Sequence, residues 1–290
     1  RLSMRLRSLL DRQKRGALFS ELQKGIRYPF RGLQETTPVF IFGRQRSGTS
    51  MLMFAFHMHP DTVVFDEHRN SIVFKDYQVR NFQIVHDAIH AAKTPFACFK
   101  PICDSHRIEE FRHEFPKSRL LWAFRHYKAA ARSALERFGE ATRAVRLVCT
   151  GRRGGGWFQD GVSPTTEAVL REIYSTHLTE FDLCCLAWWA RNQIIIENSL
   201  ATDPAVTLVK YEQLAVNGRD ELAWVFDRIG LHRHERCGRF INSASVTKSN
   251  GPALTPEVRA LCEHTMEELD GYYQLRRHAT AAERPRQAVS

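Results

Sequence analysis

From Pro38 onward, short apolar runs alternate with stretches of helical periodicity. Val39–Phe42, Thr62–Phe65, Phe96–Phe99, Leu120–Phe124 and Val206–Val209 read as buried strands. Helical patterns lie between and after them, around 49–58, 72–92, 105–114, 127–138 and 212–229. Continuously apolar strands separated by helices predict an α/β fold, a mostly parallel sheet covered on both faces. Ligands of such sheets bind at the carboxyl ends of the strands. Residues 149–166 break the pattern with Gly151, Gly154, Gly155, Gly156 and Gly161, a loop long enough to serve as a lid. A long helical segment over 165–200 follows, so that a cap is expected over about 150–200. A second irregular segment at 242–255 precedes a helix over about 256–270. The predicted organisation is a basic extension over 1–35, one domain over 36–275 and a tail over 276–290.

Composition narrows this. With 290 residues and 43% hydrophobic content the chain can bury one large core, and its 16 Gly and 11 Pro are too few for a low-complexity protein. It has no run of 18 apolar residues, so no membrane span is expected. The formal net charge is +10, and residues 1–32 supply +7 of it, nine basic residues against Asp11 and Glu21. The basicity belongs to the extension, which leaves open contact with an acidic membrane surface and argues against specific nucleic-acid binding by the domain. The cysteines at 98, 103, 149, 184, 185, 237 and 262 are odd in number and form no CxxC pair. Reduced, buried thiols and a cytoplasmic setting are expected, although a chain that begins at Arg1 leaves an upstream targeting or membrane segment open.

The strongest local signal is Gly43-Arg44-Gln45-Arg46-Ser47-Gly48-Thr49-Ser50 directly after the first apolar run. A strand that enters a Gly-bounded loop and leaves into a helix turns backbone N–H groups and a helix N-terminus toward an anion. Gly43 and Gly48 have the spacing of GxxxxGK[ST], and Ser50 sits at its hydroxyl position. Thr49 replaces the lysine that would hold β- and γ-phosphates. A nucleotide phosphotransferase is therefore the weaker reading, and Arg46 is the cation that the loop offers instead.

Arg46-Ser47-Gly48-Thr49-Ser50, followed by His59-Pro60, resembles the 5′-phosphosulfate loop of sulfotransferases that use 3′-phosphoadenylyl sulfate. The family's second element, an Arg at a strand end with a Ser eight residues later, is matched by Arg125 and Ser133. The resemblance implies that this pair holds the 3′-phosphate. His126-Tyr127 departs from the family's Asp-Pro or Asn-Pro and leaves that turn open. Trp189-Ala190-Arg191-Asn192 resembles the family's Trp-x-x-Asn helix, with a core role for Trp189 equally open. Tyr211-Glu212-Gln213-Leu214 resembles a segment whose Tyr is implied to pack near the adenine. Ser245 to Gly251 resembles the late loop that closes over the nucleotide, with Lys248 and Asn250 as implied contacts.

Sulfuryl transfer to an alcohol needs a base for the acceptor proton and cations for the bridging oxygen. Phenol-type relatives place a His two residues after a Lys on the strand entering the site. Here Lys100 is followed by Pro101 and Ile102, so that position is apolar. His59-Pro60-Asp61 and then Asp66-Glu67-His68-Arg69 is similar to the tyrosylprotein and glycan sulfotransferases. It implies Glu67 as base, with Arg69 and Lys100 as transition-state cations; Asp66 and His68 are rivals for the base, and a surface Glu67–Arg69 pair is the plainer alternative. The resemblance implies a hydroxyl acceptor, a glycan, tyrosine, phenol or small metabolite, anionic if the basic arm takes part. No metal is expected, since neither His57-x-His59 nor His232-x-His234 has a carboxylate or Cys at ligand spacing. A non-catalytic nucleotide-binding relative also remains open.

Overall fold

A computed structural model describes Lys24, Arg27 and residues 35–67, 71–138, 142–239, 241 and 251–282. Strand β1 (Thr37–Gly43) runs through the centre and is followed by helix α1 (Thr49–His57). Strand β2 (Thr62–Phe65), a hairpin of β3 (Phe74–Lys75) and β4 (Gln78–Val79), and helix α2 (Phe82–Ala91) come next. Strand β5 (Phe96–Phe99), a 3-10 turn at Ile102–Arg107, helix α3 (Ile108–Glu114), strand β6 (Arg119–Phe124) and helix α4 (Tyr127–Arg137) complete the first half. The cap comprises α5 (Arg143–Cys149), α6 (Trp157–Asp160), α7 (Pro164–Ile173) and α8 (Glu180–Glu197). Strand β7 (Val206–Lys210), α9 (Tyr211–Val216), α10 (Gly218–Ile229) and α11 (Pro256–Ala282) close the fold.

The five long strands are parallel in the order β2-β5-β1-β6-β7. All five contain the apolar runs read from sequence, because strands buried on both faces need apolar side chains pointing both ways. Phe40 illustrates the packing: its ring stacks on Phe99 at 5.3 Å and meets Phe111 edge-on at 4.9 Å. Register aligns the carboxyl ends, with Phe65 beside Phe99, Gly43 beside Ala123 and Phe124 beside Lys210. Every strand of this sheet therefore delivers its next residue to one edge.

Four boundaries differ from the sequence reading. The helix expected over 72–92 begins at α2, because Asp76 and Tyr77 take positive φ (51° and 68°) to turn the β3–β4 hairpin. The Asn81 side chain then caps α2 by accepting from the Ile84 N–H. The segment over 165–200 is two helices, since Thr179 and Asp182 form a capping box that restarts the chain at α8. The stretch over 212–229 divides at Asn217. Helix α11 continues to Ala282, so the boundary drawn at 275 falls inside it.

The glycine-rich loop is held from within: Gln159 donates to the Arg152 carbonyl and accepts from the Gly155 N–H. Of the basic extension, Lys24 donates to the His57 carbonyl at 2.9 Å and Arg27 pairs with Asp61 at 3.1 Å. The rest of residues 1–34 lies outside the described residues. No helix among the described residues is long and apolar enough to cross a membrane. All seven cysteines are buried and free.

Candidate active site

The site is assembled from residues that follow the strand ends. After β1 the chain forms the loop 44–48. A Cβ on Gly43, at φ 124°, would stand 2.3 Å from the Ala123 carbonyl oxygen, so β6 passes too close for a side chain there. Gly48, at φ 85°, would place a Cβ 2.3 Å from Cδ2 of Tyr211. Arg46 takes φ 71° without being glycine. Such a conformation costs about 1–2 kcal/mol and turns successive N–H groups toward one point. The Ser47 hydroxyl is buried and has no hydrogen-bond partner among the described residues. Gly48→Ala is expected to lower stability by at least about 2 kcal/mol, from backbone strain and displacement of the Tyr211 ring, read as a lower denaturant midpoint.

The second predicted element meets the first. Ser133, on α4, accepts from Nε of Arg46 at 2.9 Å. Arg125, the residue after β6, donates to the Arg46 carbonyl at 3.3 Å, and its guanidinium lies 4.2 Å from the Tyr211 ring centre. Arg46, Gly48, Thr49, Ser50, Arg125, Ser133, Tyr211 and the exposed Glu136 line one cavity of roughly 280 Å³. Three arms of the sequence, separated by about 80 residues each, thus share one space rich in guanidinium and hydroxyl groups.

A layer behind holds Arg125 in place. Trp188 on α8 donates to the Arg125 carbonyl at 2.9 Å, and Trp122 donates to Asn192 at 3.1 Å. Trp189 is a core residue, 5% exposed. His126, where the sequence leaves the family pattern, caps α4: its Nδ1 accepts from the Lys128 N–H at 3.3 Å. Burial pushes the imidazole pKa down, which keeps the accepting, neutral form.

On the other flank, β2 and β5 deliver Asp66, Glu67 and Lys100. The Lys100 ammonium is 2.8 Å from Asp66, 3.5 Å from Glu67 and 3.5 Å from the Ser50 hydroxyl. Asp66 is 44% exposed on its side chain and Glu67 only 10%. Burial pushes the Glu67 carboxyl up to about 8, reinforced by the charges of Asp66 and Asp104 and opposed by Lys100. Desolvation wins because Lys100 sits nearer to Asp66, and Oε2 of Glu67 has no hydrogen-bond partner among the described residues. A carboxylate with such a raised pKa, beside a cation and the anion loop, suits proton transfer near neutral pH.

One prediction needs correction and several fall elsewhere. The Arg44 side chain does not face the loop's mouth: it is buried and donates to the Cys184 carbonyl at 3.1 Å, because residue 44 continues the inward alternation of β1. His68, Arg69, Lys248 and Asn250 lie outside the described residues. His59, His232 and His234 come together, with ring centres 4.8 and 5.5 Å from His59. His59 accepts from the Asp61 N–H at Nδ1 and bonds the His232 carbonyl at Nε2, which uses both nitrogens. No group of three or more potential ligand side chains among the described residues could hold a metal ion. Arg191, quoted in the sequence only as part of a motif, lies buried beside the loop with no role assigned by that motif.

No protein-family model and no curated protein matches the sequence. Solved structures do match the fold. The sulfotransferase domain from the curacin biosynthetic pathway aligns with a TM-score of 0.52 at 12% identity, over 79% of this chain and 97% of that one. The sulfotransferase domain from the Synechococcus PCC 7002 olefin synthase aligns with a TM-score of 0.50 at 14% identity, over 81% of this chain and 97% of that one. At such identity the likeness speaks for the fold, and the fold of this chain is the sulfotransferase fold.

Proposed function

We propose that this protein transfers a sulfuryl group from 3′-phosphoadenylyl sulfate to the hydroxyl of an acceptor. The observation that carries the reading is the shared edge of the sheet: from one side to the other it presents Glu67, Lys100, the loop 43–50, Arg125 and Tyr211. Cations and loop N–H groups for a two-phosphate nucleotide thus adjoin a carboxyl whose pKa is raised toward neutrality. The buried Ser47 hydroxyl and the 280 Å³ cavity fit such a donor. The lysine missing from the loop has a counterpart in Lys100, brought by β5 to within 3.5 Å of Ser50.

The donor supplies an activated sulfur bonded to the 5′-phosphate through oxygen. In the proposed reaction Glu67 accepts the acceptor's proton while the acceptor oxygen forms its bond to sulfur. The bond from sulfur to the bridging oxygen breaks, and its electron pair leaves with adenosine 3′,5′-bisphosphate. Lys100, Arg46 and the loop N–H groups meet the charge that grows on that oxygen. Arg125, Ser133 and Arg46 hold the 3′-phosphate, and Tyr211 packs beside the base. Seven buried thiols suit a reducing, cytoplasmic setting.

Adenosine 3′,5′-bisphosphate is expected to raise the melting temperature and AMP to do so much less. At about 100 times its dissociation constant a ligand adds about 2.7 kcal/mol. Ser133→Ala and Arg125→Met should narrow the difference. Equal shifts from the two nucleotides would remove Arg125 and Ser133 from the phosphate site.

A further inference from the structure

Helix α8 carries a charge that the proposed reaction leaves unused. Arg191 is 3% exposed, and neither Nη1 nor Nη2 has a hydrogen-bond partner among the described residues. Its guanidinium lies 4.8 Å from the centre of the Trp157 ring. Arg44, turned inward from the loop, is its neighbour in charge as well as in space, and each guanidinium lacks a carboxylate partner among the described residues. Burial pushes Arg191 down to about 10, and Arg44 adds to that shift. Both line a cavity of roughly 220 Å³ whose walls include Gln45, Phe138, Trp157 and Phe158.

Asp104 does not answer these charges. Its two oxygens accept from the Val79 N–H at 2.7 Å and from Gln78 at 3.3 Å, and it pairs with Arg107 at 3.5 Å. A buried guanidinium without a counter-charge is costly, and its planar fork is built to hold a carboxylate through two parallel N–H bonds. The aromatic walls suit an apolar body.

The position fits the reacting centre. Gln45 precedes Arg46 in the loop, and Ala134, which also lines this cavity, follows Ser133 on α4. The cavity therefore shares the loop and α4 with the nucleotide cavity. Gln45 reaches Cys103 at 3.5 Å, and Cys103 lies close enough to feel the charges of both Glu67 and Arg191.

We infer that this cavity is the acceptor subsite and that it selects a small hydroxyl-bearing carboxylate with an aromatic or apolar body, held by both Nη groups of Arg191. The assignment as acceptor subsite rests on the sulfuryl-transfer reading; the carboxylate preference is measurable without turnover. The hydroxyl end of such a molecule is directed toward Glu67, and the carboxylate end stays under the cap.

The test is calorimetric titration of the whole chain with matched pairs: 4-hydroxyphenylacetate against its amide, 3-hydroxyphenylacetate against its amide, and 6-hydroxyhexanoate against its amide. At least one acid is expected to bind about tenfold or more tighter than its amide, the worth of one charge-assisted hydrogen bond or more. Arg191→Gln should bring that acid to the affinity of its amide, and Arg191→Lys should keep part of the preference. Quenching of tryptophan fluorescence by the acid in the unaltered protein, through Trp157, gives a readout that needs no variant. Amides bound as tightly as acids, failure of every acid to bind, or a preference that survives in folded Arg191→Gln would each overturn the inference. Acid preference in a protein that ignores adenosine 3′,5′-bisphosphate would overturn the transfer reaction and leave the carboxylate site standing.

Discussion

Glu67→Gln is expected to lower turnover by about 10²–10⁴-fold while adenosine 3′,5′-bisphosphate binds as it does to the unaltered protein. The substitution keeps the shape of the side chain and removes the oxygen that takes the acceptor's proton. The nucleotide contacts stand on the other flank of the loop, from Arg46 to Tyr211, and no described contact joins them to Glu67. The pH profile gives a second readout. Burial pushes the Glu67 carboxyl from 4.5 to about 8, so the base form gains population as pH climbs through that range. The unaltered protein should therefore show kcat/KM rising with pH along a limb near 8, and the limb should vanish in Glu67→Gln. Stability must follow the same titration with the opposite sign. A carboxyl with a raised folded pKa contributes stability below its ordinary value that is lost as pH rises through about 8. Glu67→Gln should thus gain on the unaltered protein as the pH is raised. Asp66→Asn and His68→Ala are the comparisons. A larger loss of turnover in either, or near-normal rates in all three, would move the base away from Glu67.

The sheet was legible because buried parallel strands leave little freedom in composition, and all five apolar runs lie in strands. The phosphate loop was legible for a related reason: Gly43 and Gly48 mark backbone positions where a Cβ has no room. Arg125 and Ser133 were found through their family spacing, and the geometry adds what spacing lacks, a Ser133 hydroxyl bonded to Arg46 rather than standing apart. Side-chain direction was not legible. Arg44 and Arg46 are two residues apart in one loop, yet the first points inward to Cys184 and the second outward to Ser133. The hairpin at 74–79 was hidden because Asp76 and Tyr77 carry no Gly or Asn to signal their positive φ. Arg191 was in plain view within Trp189-Ala190-Arg191-Asn192. Its meaning depends on what is missing around it, and a sequence does not display missing partners.

Lys100→Met is the other large effect expected, a fall in turnover of about 10²–10³-fold, the range for loss of one group that stabilises developing charge. Lys100 is 5% exposed and touches Asp66, Glu67 and Ser50 at once, so its removal acts through two routes. One is direct: the ammonium no longer meets the charge on the bridging oxygen. The other acts through the base. Lys100 is the group that opposes the upward push on Glu67, while Asp66 adds to that push. Without the ammonium, Glu67 should ionise at higher pH than in the unaltered protein, and the rising limb of kcat/KM should move upward with it. Lys100→Arg keeps a cation at the strand end and should hold the limb near its original place, even if turnover falls because the fork reaches Ser50 differently. A purely structural role would predict a different pattern, lower turnover in both variants with the limb unmoved. The double variant Glu67→Gln with Lys100→Met should lose far less than the product of the two single losses, since both residues act in one step. Losses that multiply in full would separate the two residues, and Lys100 would then serve the nucleotide rather than the base.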